Sequence, residues 1–208
     1  MFARSSMMQA RLSSIDAGIA FMRDEVMTEL AGMPGWVGLS LLVDRDSGRC
    51  IVTTAWETED AMHDSASRVR PLRNRARDVF GGDGPLIEEW DIALLHRDHH
   101  AGAGACARVT WSRSDDPDRY DSAINVFRTY ALPAMEQMDG FCSASLMVDR
   151  SSGRGVSCSI FDSAEAMDRN RQESAEMREK ATSQAGITVT EVSEFELALA
   201  HLRVPELV

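Results

Sequence analysis

An internal repeat is the feature that most constrains how this chain can fold. The thirty residues MPGWVGLSLLVDRDSGRCIVTTAWETEDAM begin at Met33, and they align without a gap with MDGFCSASLMVDRSSGRGVSCSIFDSAEAM, which begins at Met138. Twelve of the thirty aligned pairs are identical, at a shift of 138 − 33 = 105 residues. The same shift aligns EEWDIALLH with SEFELALAH, whereas Ala3-Arg4 aligns with Ala107-Arg108 at a shift of 104. The chain therefore contains two copies of one module.

The repeat divides the 208 residues into four segments. We expect repeat 1 to span residues 1–97 and repeat 2 to span residues 106–203. Residues 98–105, which are rich in Gly and Ala, predict a linker without a stable fold of its own. Residues 204–208 remain as a short tail.

Each repeat predicts the order strand, helix, strand, strand, helix, strand. Apolar residues at spacings of three and four indicate one face of the first helix, and in repeat 1 they are Ile15, Ile19, Met22, Val26 and Leu30. A period of two in WVGLSLLV indicates the strand that follows. The turns DRDSGR and DRSSGR place Gly48 and Gly153 where a left-handed backbone is needed. Thr58 and Ser163 are then in position to cap the second helix.

The predicted sheet has a second face that a lone repeat would leave open. Two helices can cover only one side of such a sheet. On the other side we expect small, hydroxylic or aromatic residues, namely Trp36, Ser40, Leu42, Thr54 and Trp56 in repeat 1 and Phe141, Ser143, Ser145, Met147, Ser159 and Phe161 in repeat 2. Such a face favours burial under a second sheet. The sequence therefore predicts an α+β fold in which two ferredoxin-like βαββαβ modules pair sheet to sheet as a pseudo-dimeric barrel.

Composition narrows the range of partners and the location. The net charge of −11 argues against nucleic acid and against anionic lipid, because both bind surfaces with an excess of positive charge. No apolar stretch is long enough to span a bilayer, and the N-terminus lacks the pattern of a signal peptide. We therefore expect a cytoplasmic protein that uses neither nucleic acid nor a membrane. In that setting the four cysteines are best interpreted as free thiols, although Cys142 and Cys158 fall on neighbouring predicted strands.

The residues of both repeats resemble a known family. A Gly with an aromatic residue, followed by LLVDRDSGR and AWETEDAM in repeat 1 and by SLMVDRSSGR and SIFDSAEAM in repeat 2, is similar to the antibiotic-biosynthesis-monooxygenase-like group of the dimeric α+β barrel superfamily. The resemblance covers nearly the whole chain. It implies the barrel fold, an intramolecular pseudo-dimer, and an activity that differs widely among members. A further homodimer of the whole chain is also compatible with it.

The same resemblance argues against haem cleavage. Haem-degrading members carry a Trp and a His about ten residues apart on the second helix, where this sequence has Ser65 and Arg75 in repeat 1 and Asn170 and Lys180 in repeat 2. The Asn, Trp and Tyr set of the cofactor-free quinone-forming members is not evident either. We therefore expect no cofactor.

Several residues are candidates for a ligand site, and each also has a simpler structural interpretation. A pocket for a small apolar or aromatic ligand could be lined by aromatic and Met side chains, namely Trp36, Trp56, Trp90, Trp111 and Met62, although such residues also fill cores. Arg73 and Arg75 could contact an anion, although an Arg-rich helix face is commonly solvent-exposed. His63 is the weak candidate for a catalytic base, and the catalytic residues are otherwise unknown.

The run His96-Arg97-Asp98-His99-His100 has the residue types that bind zinc or nickel. It also spans a strand end and a flexible linker, and the sequence identifies no distant ligand. We therefore favour a compositional feature over a metal site and assign no metal.

Two functions remain open. The first is a cofactor-independent monooxygenase acting on a small aromatic or polyketide-like compound, which would make the protein an oxidoreductase. The second is a non-catalytic protein that has kept the barrel, lost the catalytic set, and binds a small ligand or a partner. If one repeat alone keeps a site, His63 and the Arg-rich helix favour repeat 1.

Overall fold

The computed structural model describes residues 1–116 and 119–202. The predicted tail 204–208, the last residue of repeat 2 and Pro117, which the sequence places in the first turn of the first helix of repeat 2, lie outside the described residues. Two compact units are present. Unit 1 contains Met1–Trp90 together with residues 196–202, and unit 2 contains Asp91–Phe195.

Unit 1 follows the order that the first repeat predicts. Its elements are β1 (Phe2–Gln9), α1 (Ile15–Phe21), α2 (Met27–Ala31), β2 (Trp36–Val43), β3 (Arg49–Trp56), α3 (Glu59–Asp64), α4 (Ala66–Phe80) and the first part of β4 (Leu86–Arg97). β3 pairs antiparallel with both β1 and β2. The second helix of the repeat is divided into α3 and α4 at Ser65, which the sequence did not predict.

Unit 2 repeats this arrangement. Its elements are β5 (Cys106–Arg113), α5 (Arg119–Val126), α6 (Leu132–Met135), β6 (Phe141–Asp149), β7 (Arg154–Phe161), α7 (Ala164–Arg169), α8 (Arg171–Ala185) and the first part of β8 (Thr188–Leu202). β7 pairs antiparallel with both β5 and β6. The division between α7 and α8 falls at Asn170, which corresponds to Ser65 in repeat 1.

The last strand of each repeat contributes to both units. Residues 91–97 of β4 pair with β6 in unit 2, from Asp91 opposite Val148 to Arg97 opposite Ser143. Residues 196–202 of β8 pair with β2 in unit 1. The strand order is β1-β3-β2-β8-β5-β7-β6-β4 in a closed barrel. The predicted α+β fold of two ferredoxin-like modules in a pseudo-dimeric barrel is confirmed.

The predicted helix starts and hairpin turns are also confirmed. The hydroxyls of Thr58 and Ser163 accept hydrogen bonds from the backbone N–H groups of Ala61 and Ala166. Gly48 has φ +81° and Gly153 has φ +65°, conformations that L side chains rarely adopt. In the described part of the chain, no helix is long and apolar enough to cross a membrane.

The face assignment of β3 was wrong, because Thr54 and Trp56 lie on the side that the helices cover. Thr54 pairs with Leu39 across the hairpin, and paired residues project to the same face. Leu39 and the fully buried Trp56 both belong to the core cluster that includes Leu30 of α2. The alternation within β3 was correct, but its phase depends on cross-strand register, which the turn sets and the pattern alone does not.

Unit 2 shows the same correction. Ser159 pairs with Ala144, and Phe161 belongs to the core cluster that contains Phe127 and Met135 from the first helix of the repeat. Ser159 and Phe161 therefore face the helices, and not the opposite side as the sequence analysis expected. This change of face brings hydroxyl groups and an aromatic ring next to the helix-covered interior.

A π-helical turn interrupts the first helix of each repeat at the same position. In unit 1 it spans Met22–Val26, between α1 and α2, and in unit 2 it spans Phe127–Ala131, between α5 and α6. A single π turn inserts one extra residue and is frequent at functional sites. A proline inside a helix commonly kinks or ends it, which the sequence predicts for Pro133 in the first helix of repeat 2. However, unit 1 has the same π-helical turn without a proline, and the helix of unit 2 continues past Pro133 to Met135.

Candidate functional site

Each unit contains a cavity between its strands and its helices. The cavity of unit 2 has a volume of about 80 Å³, and that of unit 1 about 40 Å³. The π-helical turns contribute to both walls, through Phe127 and Ala131 in unit 2 and through Met22 and Val26 in unit 1. The two cavities are thus equivalent positions of the repeat, and they differ in size.

The difference in size has a direct cause in the sequence. Three apolar side chains that line the cavity of unit 1 are replaced by serines in the lining of unit 2. At the repeat shifts of 104 and 105 residues, the pairs are Met8 and Ser112, Val52 and Ser157, and Val69 and Ser174. The smaller residues leave more volume, and they add hydroxyl groups to a wall that is otherwise apolar.

A buried arginine on the first strand lines each cavity. In unit 1, Arg4 is 5% exposed and all three of its guanidinium nitrogens have partners. Its Nε donates to Glu89 Oε1 at 2.8 Å, Nη1 donates to the Ser65 hydroxyl at 3.3 Å, and Nη2 donates to the Met62 carbonyl at 3.0 Å. Arg4 is therefore a satisfied structural group.

The equivalent arginine of unit 2 is not fully satisfied. Arg108 is 4% exposed, its Nε donates to Glu194 Oε1 at 3.0 Å, and its Nη2 donates to the Met167 carbonyl at 2.9 Å. Within the described residues Nη1 is buried and has no hydrogen-bond partner. A buried donor of a charged group without a partner costs more free energy than a neutral one, so this nitrogen needs an explanation.

The explanation is the residue at the division of the second helix. Position 170 carries Asn in place of the serine at position 65, and the Asn170 amide donates to the carbonyls of Asp139 and Ala166 at 2.9 and 2.8 Å. Asn170 is thus held by backbone groups, and Arg108 Nη1 loses the partner that Arg4 has.

A second arginine lines each cavity from the long helix. Arg178 on α8 corresponds to Arg73 on α4, and each is partly exposed. Burial lowers the pKa of Arg178 below its ordinary value, and the neighbouring positive charge of Arg108 lowers it further. Arginine nevertheless stays protonated in proteins. The cavity of unit 2 therefore has two guanidinium cations in its wall.

One carboxylate partly balances these cations. Burial opposes the ionisation of Glu194, but hydrogen bonds from Arg171 and Arg108 outweigh it and hold its pKa below the ordinary value. Glu194 is 29% exposed, and its other oxygen accepts from Arg171 at 2.9 Å. Because Glu194 is shared with a third arginine, the region retains an excess of positive charge.

The residues predicted to line a pocket are distributed through the two units. The described residues that line these two cavities include none of the four tryptophans, and they do not include Met62. Trp56 and Met62 fill the core of unit 1, where the Trp56 indole donates to Thr54 at 3.2 Å. Trp90 donates to the Ser5 hydroxyl at 2.9 Å. Trp36 stacks on His201 with ring centroids 5.6 Å apart, and Trp111 contacts Phe195 edge to face.

The predicted polar candidates do not lie together in the structure either. Arg73 lines the cavity of unit 1, whereas Arg75 forms surface ion pairs with Glu25 and Glu29. His63 is 52% exposed, and its Nε2 lies 3.1 Å from Glu89. His63 therefore contacts the far side of the carboxylate that holds Arg4, and it does not line the cavity.

The run of histidines is divided by the end of β4. His96 Nε2 lies 3.0 Å from Glu136, and its ring stacks on Phe141. His99, two residues beyond the strand, lies next to Cys142 and Asp162. The sequence identified neither Cys142 nor Asp162 as a partner, because they lie 43 and 63 residues further along the chain.

Arg108, Arg178 and Asn170 were not predicted as site residues. One signal was present for Arg108: a charged residue recurs at the equivalent position, Arg4, inside a strand predicted to be covered by helices. Asn170 carried no signal, because its effect depends on which backbone carbonyls its amide reaches.

The barrel places the chain in a known fold class. The fold is that of the dimeric α+β barrel proteins related to antibiotic biosynthesis monooxygenases. A candidate monooxygenase of Lactobacillus acidophilus NCFM has a TM-score of 0.72 and 8% identity, covering 97% of this chain and 96% of that one. An anthrone oxidase-like protein has a TM-score of 0.65 and 13% identity, covering 99% and 94%. At such identities the likeness shows the fold alone.

Relatives identify the family more closely. The uncharacterized protein Rv2557 of Mycobacterium tuberculosis H37Rv is 53% identical over 207 residues, covering 100% of this chain and 92% of that protein. The uncharacterized protein Rv2558 of the same strain is 54% identical over 208 residues, covering 100% and 87%. No family model matches the chain. The chain belongs to the family of these two mycobacterial proteins.

Proposed function

We propose that the protein binds a small organic anion with an apolar body in the cavity of unit 2. The observation that carries this proposal is the buried Nη1 of Arg108, which has no hydrogen-bond partner within the described residues. A carboxylate oxygen is the natural acceptor for such a donor, since charge-assisted hydrogen bonds are about twice as strong as neutral ones. The proposal is the binding alternative of the two functions that the sequence left open.

The charge of the wall supports an anionic head group. Arg108 and Arg178 both line the cavity, and the positive charge of one disfavours that of the other. A bound carboxylate between them would relieve this repulsion. In unit 1 the same site has Ser65 as an internal partner for Arg4, so a ligand there would have to displace a formed hydrogen bond.

The remaining wall supports a small apolar body. Phe127, Met135, Phe161 and Met177 present apolar surface, and the serines that replace apolar residues supply two hydroxyls from the strands and one from α8. A volume of about 80 Å³ is about half that of an engineered cavity of roughly 150 Å³ that binds benzene. The wall therefore favours short aliphatic carboxylates over aromatic compounds.

The test compares carboxylates with neutral amides of the same shape. Hexanoate, titrated calorimetrically against the full chain, is expected to bind at one site, and hexanamide and the bulkier benzoate at least tenfold more weakly. Arg178→Gln should weaken hexanoate binding about tenfold, whereas the equivalent Arg73→Gln in unit 1 should leave it unchanged. Equal affinity for acid and amide, or equal effects of the two variants, would overturn the proposal.

A second candidate function is cofactor-independent oxygenation. It would insert one oxygen atom of O2 into a substrate CH2 group to form a carbonyl, and the other oxygen would leave as water. The two arginines would stabilise the anion that forms when the substrate loses a proton. Among the described residues, the cavity lining includes Tyr120 but no carboxylate or imidazole to take that proton, which makes this candidate the weaker one.

Oxygen uptake over a panel of anthrones and hydroquinones tests this activity. Turnover above that of the free substrate, reduced at least tenfold in Arg178→Gln, would support it. Because His63 lies on the surface, we expect His63→Ala to retain any turnover. No uptake above the spontaneous rate would remove the oxygenase candidate and leave the binding proposal intact. The cytoplasmic location and a further homodimer stay predictions.

A further inference from the structure

Three side chains with metal-binding atoms meet in unit 2, away from the cavity. His99 Nε2, Cys142 Sγ and Asp162 Oδ1 lie within 4.8 Å of one another. Nε2 lies 3.0 Å from the Asp162 oxygen, and Sγ lies 3.2 Å from the same oxygen. None of the three lines the cavity described above. Their chain positions, after β4, in β6 and after β7, converge because β6 pairs with both β4 and β7.

We propose that His99, Cys142 and Asp162 bind one zinc ion, with a fourth position open to water. Imidazole nitrogen, thiolate sulfur and carboxylate oxygen are the three ligand types that zinc uses in proteins. The mixture of nitrogen and sulfur excludes magnesium and calcium as the preferred ions, since those prefer all-oxygen sites. Three protein ligands with one open position is the arrangement of zinc sites that exchange water or bind a small molecule.

A second layer of contacts orients the histidine. The Asp98 carboxylate lies 2.8 Å from His99 Nδ1, which favours a proton on Nδ1 and directs Nε2 toward Cys142 and Asp162. A carboxylate behind a ligating imidazole is a recurrent feature of zinc sites. The Cys142 carbonyl accepts the backbone N–H groups of Asp98 and His99 at 2.9 and 3.2 Å. The segment after β4 is therefore attached to the strand that carries the cysteine.

The hydrogen bonds of the site are those that a cation would replace. The Asp162 oxygen accepts from the Cys142 thiol and lies at hydrogen-bond distance from His99 Nε2. A cation bound among the three atoms would take the place of these hydrogens, as expected when metal binding releases protons from its ligands. Small shifts of the side chains suffice, because zinc–ligand distances of about 2.0–2.3 Å separate the ligand atoms of a tetrahedral site by roughly 3.3–3.8 Å.

Repeat 1 has no equivalent set. At the shift of 105 residues, Cys142 corresponds to Val37 and Asp162 to Glu57. The proposal therefore predicts one zinc ion per chain. The zinc proposal does not depend on anion binding in the cavity, so either proposal can fail without the other.

Cobalt titration under reducing conditions tests the site directly. The full chain should bind one Co²⁺ with a thiolate-to-cobalt charge-transfer band, and Zn²⁺ should displace it. His99→Asn and Asp162→Asn should each weaken binding at least tenfold, and Cys142→Ser should abolish the band. Asp98→Asn should weaken binding about 10- to 100-fold, as removal of a carboxylate behind a ligand does.

Matched controls separate this site from incidental binding. His100→Asn, next to His99, and Cys158→Ser, on the neighbouring strand, should leave stoichiometry and spectrum unchanged. His99 is 42% exposed, so His99→Asn should fold even if Cys142→Ser does not. No saturable band, or a band that persists in His99→Asn, would overturn the proposal.

Discussion

In unit 1 the hydroxyl of Ser65 lies 3.3 Å from Nη1 of Arg4. The equivalent position in unit 2 carries Asn170, whose amide is held by two backbone carbonyls, and Arg108 Nη1 has no partner in the described part of that unit. One substitution between repeats therefore distinguishes a satisfied buried arginine from one with a free donor. The two repeats therefore share their fold and differ in the hydrogen bonds of this arginine.

Exchanging this residue should change ligand binding. Asn170→Ser gives Arg108 Nη1 a hydroxyl partner, so hexanoate affinity is expected to fall about threefold to tenfold in calorimetry. Loss of the two Asn170 hydrogen bonds should cost about 1–2 kcal/mol of unfolding free energy. Ser65→Asn is the matched control in unit 1, and it should not weaken binding in unit 2. Unchanged affinity in Asn170→Ser would contradict the role of Nη1.

Filling the cavity with the residue that repeat 1 uses should block the site. Ser157→Val adds apolar volume where unit 1 has Val52, and hexanoate affinity is expected to fall more than tenfold while the melting temperature is maintained or rises. The reverse change, Val52→Ser, enlarges the smaller cavity and should lower the unfolding free energy by about 1–3 kcal/mol. It should leave binding in unit 2 unaltered. Retained binding in Ser157→Val would place the ligand elsewhere.

The two arginines that bind Glu194 should differ in their effect on stability. Arg108 is 4% exposed, so Arg108→Met is expected to cost about 2–3 kcal/mol, at the lower end for a broken buried pair because Glu194 keeps Arg171. Arg171 is 58% exposed, and Arg171→Met should cost at most about 1 kcal/mol. Urea denaturation measures both. Equal costs would show that burial does not determine the energetics of this cluster.

Stability at acidic pH should depend on Asp149, the last residue of β6. Burial alone would raise its pKa, but hydrogen bonds from Ser151 and Ser152 outweigh it and lower the pKa from 3.8 to about 2. Because the pKa of the folded state lies below that of the unfolded state, the contribution is complete above about pH 4. It is lost as the pH falls through about 2.

The variant Asp149→Asn isolates this contribution. It should cost about 1–2 kcal/mol at pH 7 and almost nothing near pH 2, as measured by urea denaturation over a pH series. Asp121→Asn is the control, since Asp121 is 81% exposed and forms only a surface pair with Arg150. A cost for Asp149→Asn that does not vary with pH would contradict the pKa shift.

Much of the fold was predictable because it depends on local patterns. The thirty-residue repeat predicted two modules, the alternation in β2 predicted a strand, and Gly48 and Gly153 marked turns whose backbone only glycine adopts readily. Thr58 and Ser163 marked helix starts, because their hydroxyls satisfy backbone donors three residues away. Each of these features lies within a few residues of its cause.

The sites were not predictable in the same way, because they depend on distant contacts. The faces of Thr54 and Ser159 follow from cross-strand register, and the π-helical turns have no sequence pattern that we recognised. The tryptophans predicted for a pocket lie outside the two cavities, whereas the cavity of unit 2 depends on serines that the sequence analysis assigned to no ligand.

The sequence by itself determined the duplication, because the two repeats can be compared directly. It also determined the element order, the caps and the turns, since these are properties of neighbouring residues. Tertiary structure alone decided that Asn170 leaves Arg108 without its last partner, and that β4 carries His99 next to Cys142 and Asp162. The physical reason is the same in both cases. Hydrogen-bond partners and ligand sets depend on distances of about 3 Å between atoms that are tens of residues apart in the chain.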